Sequence, residues 1–146
     1  LVPGKPNAYG LIGYDANAPK GGHRPLSSMT PTFVFGPDRD MVIGTPGGSR
    51  IITMVLEGVL AFVDGEDAGQ ITAKPRFHHQ YLPDVITAEP GALDPATIAA
   101  LRKMDYTVDA GQRHWGFRNG VTWDRKAGTV SAASDPRGDS GLGKVQ

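Results

Sequence analysis

The stretch GTPGGSRIITMVLEGVLAF, residues 44–62, decides how this chain is organised. A proline and two glycines precede apolar residues that recur at three- and four-residue spacing, which is typical of a helix. We predict a helix over residues 49–64, with its apolar face at Ile52, Val55, Leu56, Val59, Leu60 and Val63. Ile51 and Phe62 widen that face, so we expect the helix to be mostly buried.

The two glycines place open backbone donors at the start of this helix. Gly47 and Gly48 have no side chains to cover their N–H groups, and a helix N-terminus carries a partial positive charge. Such a position favours a bound anion, or an oxygen that becomes negative during a reaction. The alternative is a strand-to-helix turn in which glycine only meets the backbone geometry, and this stretch alone favours the plain turn. A P-loop is excluded, because no Lys-Ser/Thr follows the glycines.

Composition excludes several classes of protein. The 146 residues include 15 basic and 15 acidic side chains and no cysteine. The balanced charge gives no field that favours nucleic acid. Without cysteine there are no disulfides, no thiolate catalysis and no cysteine-based zinc site. No run of ~18 apolar residues is present that spans a bilayer.

The remaining pattern indicates one unit of class α+β, without repeats or linkers. The predicted elements, in chain order, are strands over 29–36 and 40–45, the helix over 49–64, a helix over 66–73, one short strand, a helix opened by Asp94 and Pro95, and a hairpin that turns at 124–128. Asp94 is a good N-cap residue and Pro95 suits the first helical position. The order is therefore β-β-α-α-β-α-β-β.

A pair of serines in HRPLSSMTP, residues 23–31, is a second candidate site. The hydroxyls of Ser27 and Ser28 are suited to hold a carboxylate by hydrogen bonds. They are equally suited to cap a turn, which is the commoner use of such residues. Neither serine lies in a G-x-S-x-G elbow, which argues against an α/β-hydrolase nucleophile.

Several motifs together resemble one family. NAYGLIG, DANAP, RPLSSMTPT, GTPGGSRIIT, KPRFHHQYLPD and ASDPR follow one another between Pro3 and Arg137. The set resembles the small subunit of a γ-glutamyltranspeptidase, in the N-terminal nucleophile hydrolase superfamily. The resemblance implies part of a four-layer αββα sandwich and an enzyme that acts on glutathione and related γ-glutamyl compounds, without metal or cofactor.

The resemblance also implies roles for individual residues. Ser27 and Ser28 would bind the α-carboxylate of the γ-glutamyl group, and the N–H groups of Gly47 and Gly48 would form the oxyanion hole. Tyr9 would lie over the substrate. Relatives with this fold that act on cephalosporin side chains or poly-γ-glutamate remain an alternative, as does a catalytically inert structural fragment.

Parts of the family pattern do not occur in this sequence. The family nucleophile is a threonine at the N-terminus of the small subunit, and it would lie outside this chain, as would the large subunit. Because the sequence begins with Leu1, we expect a processed chain or a piece of a longer one. We expect a lid-type loop over 1–24, sandwich elements over 25–137 and a tail over 138–146. The family suggests a periplasmic or secreted enzyme.

Other conspicuous side chains have structural interpretations. Adjacent residues of a strand face opposite ways, so His78 and His79 indicate hydrogen-bonded structural residues rather than a metal site. Trp115, Phe117 and Trp123 lack an accompanying basic patch, which favours core or hairpin packing over nucleic-acid binding. Asp135 and Arg137 indicate a turn anchored by an arginine–carboxylate pair.

Overall fold

The computed structural model describes residues 2–111 and 113–138, and the backbone of 142–145. The helices are α1 (Ile51–Val63), α2 (Ala68–Ala73) and α3 (Pro95–Lys103). The strands are β1 (Thr32–Phe35), β2 (Arg39–Gly44), β3 (Phe77–His78), β4 (Ile86–Ala88), β5 (Val108–Ala110), β6 (Asn119–Asp124), β7 (Thr129–Ala133) and β8 (Leu142–Val145). The predicted α+β class is confirmed.

The main sheet is antiparallel, with the strand order β1-β2-β6-β7-β8. Side chains alternate across it, as a half-buried sheet requires. Met41 and Ile43 of β2 point to the face covered by α1 and α2, where they are almost fully buried. The hydrophobic core lies between this face and the helices, and comprises Met41, Ile43, Ile51, Val55, Ala61, Phe62 and Ile71.

A smaller sheet, in the order β3-β4-β5, lies beside the main one. Strands β4 and β5 are parallel, and α3 makes the crossover that a parallel pair needs. The prediction for α3 is confirmed at its cap, because Asp94 Oδ1 accepts the N–H groups of Ala96 and Thr97 at 2.9 Å each. None of the described helices reaches the length and apolarity that crossing a membrane requires.

The segment 2–31, ahead of β1, contains only local structure. A 3-10 turn spans Asp15–Asn17, and a single bridge joins Pro6 to Ile12. Asn7 stabilises the loop within this bridge, since its Oδ1 accepts the N–H groups of Tyr9 and Leu11 at 2.9 and 3.0 Å. Backbone hydrogen bonds, from Asn7 N–H to the Leu11 carbonyl and from Gly10 N–H to the Asn7 carbonyl at 2.9 Å each, complete the closure of the loop.

Several element boundaries differ from the prediction. Strand β1 starts only after Pro31, which has no N–H for the ladder. Helix α2 starts at Ala68 rather than at residue 66, because Asp67 and Gln70 form a capping box. One strand was predicted between α2 and α3, and the structure has two. Strands β5 and β8 were not predicted, and β8 lies in the expected tail, of which residues 139–141 and 146 fall outside the described part.

The prediction that α1 is mostly buried is wrong for this chain. The face toward the sheet consists of Ile51, Met54, Val55, Gly58, Ala61 and Phe62. Most of the stripe that was expected to be buried is exposed instead, at Ile52, Leu56, Leu60 and Val63. The helix is apolar almost all round, so periodicity alone did not distinguish the face that meets the sheet.

The second face of the main sheet is also apolar and open. Cross-strand neighbours line up on it, since Phe33 is opposite Val42, and Val42 is opposite Val121. Phe35 and Trp123 lie in the next row, with exposures of 78% and 47%. Trp123 therefore packs in the hairpin rather than in the core. Apolar surface of this extent usually meets another protein surface.

Four charged side chains form a buried ion cluster between the two sheets: Arg76, Glu89, Asp135 and Arg137. Arg76 pairs with Asp135, and Arg137 joins Glu89 at 2.7 Å to Asp135 at 3.0 Å. The predicted anchoring of the Asp135–Arg137 turn is confirmed. Each buried charge has an opposite charge beside it, which offsets the cost of removing it from water.

A second buried ion pair, between Arg118 and Glu57, connects α1 to the start of strand β6 near the ion cluster. Arg118 contacts Glu57 at 3.1 Å and donates to the carbonyl of Ile71 at 2.6 Å. Burial lowers the pKa of the Arg118 guanidinium to about 10, and burial also raises the pKa of the Glu57 carboxyl. The arginine remains charged near neutral pH despite the shift.

We expect the 146-residue chain, purified alone, to self-associate through its two open apolar surfaces. Sedimentation velocity should show species larger than a monomer. Replacing Phe33 and Trp123 together by serine should shift the distribution toward monomer. The control Tyr14→Ser changes an exposed aromatic residue outside both surfaces and should have no effect. A sharp monomeric boundary for the unmodified chain, with a cooperative thermal transition, would contradict this expectation.

Asp135→Asn should lower the free energy of unfolding by about 3 kcal/mol or more, because it leaves Arg76 and Arg137 with Glu89 as the one remaining carboxylate of the cluster. The control Asp84→Asn removes an exposed carboxylate that contacts His79 and should change stability by less than about 1 kcal/mol. Urea unfolding measures both variants.

The same comparison has a defined pH dependence. Burial raises the pKa of the Asp135 carboxyl, but hydrogen bonds from Arg76, Arg137 and backbone N–H groups outweigh it and hold the pKa below its usual value. A depressed folded pKa gives stability that is fully present above the unfolded pKa of about 3.9, and that is lost as the pH falls from there through the folded pKa. The difference between unmodified chain and Asp135→Asn should therefore shrink only in strong acid. A difference that is constant across that range would contradict the assignment.

Candidate functional site at the start of helix α1

The turn between β2 and α1 exposes two backbone donors. Gly47 and Gly48 have φ angles of 151° and 59°, and a 3-10 turn over Gly48–Arg50 leads into the helix. Within the described part of the chain, neither glycine N–H donates to a protein acceptor. These φ values favour glycine for conformational reasons alone. The geometry therefore agrees with both interpretations of the Gly-Gly pair, and the oxyanion role stays a prediction.

Tyr9 lies directly on this turn. A Cβ atom added to Gly48 would be 2.4 Å from Cζ of the Tyr9 ring, so the ring packs against the glycine itself. Gly10 approaches Pro83 equally closely, with a Cβ-to-Cδ distance of 2.6 Å if a Cβ were present. The two contacts place the loop around Tyr9 over the start of α1. The structure thus brings together Tyr9 and Gly48, two of the residues that the sequence selected.

Gln80 forms hydrogen bonds to both the loop around Tyr9 and the turn that precedes α1. Its Nε2 donates to the Tyr9 carbonyl at 2.7 Å, while its Oε1 accepts from the Ser49 hydroxyl at 2.7 Å. The same Oε1 lies 2.8 Å from Nε2 of His78. One amide side chain therefore joins the loop, the turn and strand β3.

His78 contacts Gln80 from strand β3, in surroundings that favour its neutral imidazole. Burial lowers the pKa of its imidazole, an effect that the hydrogen bond to Gln80 only partly offsets. Its Nδ1 contacts the hydroxyl of Thr53 on α1. His79 points the other way and contacts Asp84 at 2.7 Å. The prediction of two structural, hydrogen-bonded histidines is confirmed.

The serine pair lies apart from these contacts. Ser27 is exposed and its hydroxyl oxygen accepts the N–H of Met29 at 3.1 Å, which is the turn-capping alternative. Ser28 is half-buried, and its hydroxyl makes no hydrogen bond within the described residues. No described hydrogen bond connects either serine to Tyr9, Gly47 or Gly48. Their carboxylate role stays a prediction.

A cavity of about 350 Å³ opens beside Tyr9. Its polar walls come from Ser49, Arg50, His78, Gln80 and Arg113. A neighbouring cavity of about 550 Å³ shares Arg50 and Arg113 and reaches Trp115. Both volumes fall in the range of small-molecule sites.

The sequence interpretation did not find Gln80, Arg50 or Arg113. Gln80 follows the two histidines in RFHHQ, but a neutral amide in an irregular segment matches no spacing pattern. Arg50 lies in the GGSR motif, directly after the residues that drew attention. Only the structure identifies these residues: Gln80 and Arg50 by their contacts with the Gly-Gly turn, and Arg113 by its place in the cavity wall described above. Within the described residues, His, Asp and Glu side chains form no group of three or more that is arranged to hold a metal ion.

Comparison with known proteins identifies similar chains. A family model described as "Gamma-glutamyltranspeptidase" matches residues 1–145. The "Glutathione hydrolase proenzyme" of Escherichia coli (strain K12) is 44% identical over 137 residues, which are 92% of this chain and 23% of the relative. The protein of that name from Pseudomonas aeruginosa is 39% identical over 147 residues, 98% of this chain and 26% of the relative. The chain thus spans about a quarter of the length of these relatives.

Solved structures similar to this chain are also γ-glutamyltranspeptidases. The γ-glutamyltranspeptidase T380A mutant of Helicobacter pylori superposes with a TM-score of 0.82 at 37% identity, covering 94% of this chain and 76% of that one. The γ-glutamyltranspeptidase of Pseudomonas nitroreducens, complexed with L-DON, has a TM-score of 0.80 at 35% identity, covering 100% of this chain and 76% of that one.

Gln80→Leu should loosen the loop around Tyr9, because it removes the hydrogen bond to the Tyr9 carbonyl. We expect the backbone N–H groups of Tyr9, Gly10 and Leu11 to exchange with solvent about three- to tenfold faster, the effect of one hydrogen bond. Hydrogen–deuterium exchange with mass spectrometry measures this. The matched control Gln70→Leu disturbs the cap of α2 and should leave exchange in the loop unchanged. Equal exchange in Gln80→Leu and unmodified chain would show that Gln80 does not hold the loop.

Proposed function

The chain belongs to the γ-glutamyltranspeptidase family, and on that premise we propose that it is part of an enzyme that hydrolyses or transfers γ-glutamyl groups. The observation that carries this proposal is the family match over residues 1–145. Glutathione is the proposed donor, because the E. coli and P. aeruginosa relatives are glutathione hydrolases. The chain contributes part of the sandwich fold and part of the substrate site.

In the proposed reaction, a threonine outside this sequence attacks the γ-amide carbonyl of the donor. Its oxygen forms a bond to the carbonyl carbon, the C–N bond breaks, and the hydroxyl proton leaves with the amine. The resulting ester is then cleaved by water or by an acceptor amine, which releases the threonine. No metal or cofactor takes part in this scheme.

Gly47 and Gly48 are the proposed oxyanion donors. Two observations support this role: their N–H groups bind no acceptor within the described residues, and they begin the 3-10 turn that leads into the 13-residue helix α1. The helix dipole and the two donors favour negative charge before the reaction begins. In comparable sites one such donor lowers the barrier by about 3 kcal/mol.

Ser27 and Ser28 are proposed to hold the α-carboxylate of the γ-glutamyl group. A hydroxyl has one proton to donate and two lone pairs. The Ser27 oxygen already accepts the N–H of Met29, which leaves its proton for a carboxylate. Tyr9 is proposed to cover the substrate, which agrees with the packing of its ring on Gly48.

The proposed partners are the large subunit and the N-terminal part of the small subunit. The open apolar faces of the main sheet and of α1 support a partner of this kind. A periplasmic or secreted location is proposed from the family alone. A fragment without activity of its own is the second candidate, and the same open faces favour it for the chain in isolation.

Two variants of the complete protein test the assigned roles. Gly48→Val should lower kcat by about tenfold or more, because a side chain displaces an oxygen whose charge grows in the transition state. Ser28→Ala should mainly raise KM, because it removes a partner of a carboxylate that is charged in both ground and transition states. Release of the chromophore from a γ-glutamyl anilide measures both constants.

A third variant separates the oxyanion effect from the contact with Tyr9. Because a Cβ at residue 48 collides with that ring, Gly48→Val is also measured in a Tyr9→Gly background. If the loss of kcat disappears in that background, the effect belongs to the Tyr9 loop and not to an oxyanion. A folded Gly48→Val variant with unchanged kcat would contradict the oxyanion role and leave the two glycines with a conformational role in the turn.

A further inference from the structure

The arginines of this chain fall into two groups. Six of the nine donate side-chain hydrogen bonds: Arg39, Arg76, Arg102, Arg118, Arg125 and Arg137. The guanidiniums of Arg24, Arg50 and Arg113 have no hydrogen bond or ion pair among the described residues. Two of these three, Arg50 and Arg113, line the same pair of cavities beside Tyr9. We call this pair of cavities the arginine pocket.

Arg50 is held in place although it lacks a polar partner. Its guanidinium carbon lies 4.6 Å from the centre of the Trp115 ring, and the residue is half-buried. Its backbone N–H donates to the Gly47 carbonyl at 3.2 Å, so it belongs to the same turn as the proposed oxyanion donors. A guanidinium stacked on an indole keeps its edge and its donors free for a ligand.

The arginine pocket is suited to a carboxylate. Guanidinium groups bind carboxylates by paired, charge-assisted hydrogen bonds that are stronger than neutral ones. The one carboxylate on the wall, Asp109, forms no ion pair with either arginine within the described residues. Arg50 is half-buried and Arg113 is exposed, so both guanidiniums are accessible to an anion that enters the cavity.

The position of the pocket decides which carboxylate it takes. Gly47 and Gly48 are proposed to bind the carbonyl oxygen, and Ser27 and Ser28 the glutamyl carboxylate. The pocket adjoins the Gly-Gly turn but lies apart from the serines, so the amine portion of the amide is the part left to occupy it. A leaving amine and an acceptor amine use the same place, because the transfer step is the acylation step in reverse.

We propose that Arg50 and Arg113 bind a carboxylate on the amine portion of the scissile γ-amide, which makes them determinants of leaving-group and acceptor specificity. The proposal rests on the γ-glutamyl function proposed above. It predicts a preference for donors and acceptors that end in a free carboxylate, such as peptides, over the corresponding amides.

The first experiment compares donors in the complete protein. Glutathione is paired with its C-terminal glycinamide, which differs only by the loss of one charge. Arg113→Gln and Arg50→Gln should each lower kcat/KM for glutathione about tenfold while changing that for the amide little, the effect of one hydrogen bond to a charged group. The control Arg24→Gln should change neither. A loss that is equal for both donors, or no loss, overturns the proposal for the leaving group.

The second experiment tests the acceptor. Glycylglycine and glycylglycinamide are compared as acceptors of the γ-glutamyl group from an uncharged anilide donor. The unmodified protein should prefer glycylglycine, and both pocket variants should abolish the preference. Because the leaving amine and the acceptor amine use the same place, an effect on donors alone or on acceptors alone would contradict a shared site. No dependence on charge in either experiment overturns the proposal entirely.

The third experiment is independent of turnover. Phenylglyoxal modifies free guanidiniums, and mass spectrometry of peptides gives the modification rate at each arginine. Glycylglycine should slow modification of Arg50 and Arg113 and leave Arg24 unaffected, while glycylglycinamide should protect none of them. Such protection without turnover of any γ-glutamyl donor would end the proposed function and retain the carboxylate site. Equal protection by both dipeptides, or by neither, would overturn the site.

Discussion

The buried ion cluster is the constraint on which the rest of the structure depends. Arg76 and Asp135 are almost fully buried, and they join the end of β7 to the beginning of the smaller sheet. The cluster also fixes the backbone of Trp115, whose main-chain N–H donates to Glu89 Oε1 at 2.9 Å and whose carbonyl accepts from Arg76. Trp115 is the surface on which Arg50 stacks. The position of Trp115 in the wall of the arginine pocket therefore depends on charged groups in the interior.

In the candidate site, one side chain likewise holds several segments together. Gln80 is the contact between three segments that are distant in the sequence: the loop at Tyr9, the turn at Ser49 and the strand at His78. Each of its polar atoms is used, which fixes the orientation of the amide. A neutral His78 is suited to this position, because a charged imidazole would be poorly solvated there.

The sequence predicted those features that depend on local chemistry. The cap at Asp94, the hairpin after β6 and the helix after Gly48 follow from capping, turn residues and periodicity. The buried face of α1 did not follow, since a helix that is apolar all round has no single stripe. The partners of Arg76 and Arg118 did not follow either, because contacts across 59 and 61 positions leave no local pattern. Resemblance to a family supplied the proposed carboxylate-binding role of Ser27 and Ser28, which the residues alone left open.

The packing of Tyr9 on Gly48 has a consequence for the evolutionary history of such chains. Because the ring occupies the space of a side chain, the two positions cannot drift independently. A residue larger than glycine at position 48 is compatible only with a smaller residue at position 9 or with a displaced loop. Homologous sequences that lack an aromatic residue in this loop should therefore accept, at the second glycine, only those residues that tolerate its left-handed φ of 59°, such as asparagine. The first glycine has a φ of 151°, and its Cβ would collide with Met54 of the helix, so it should remain fixed in both groups.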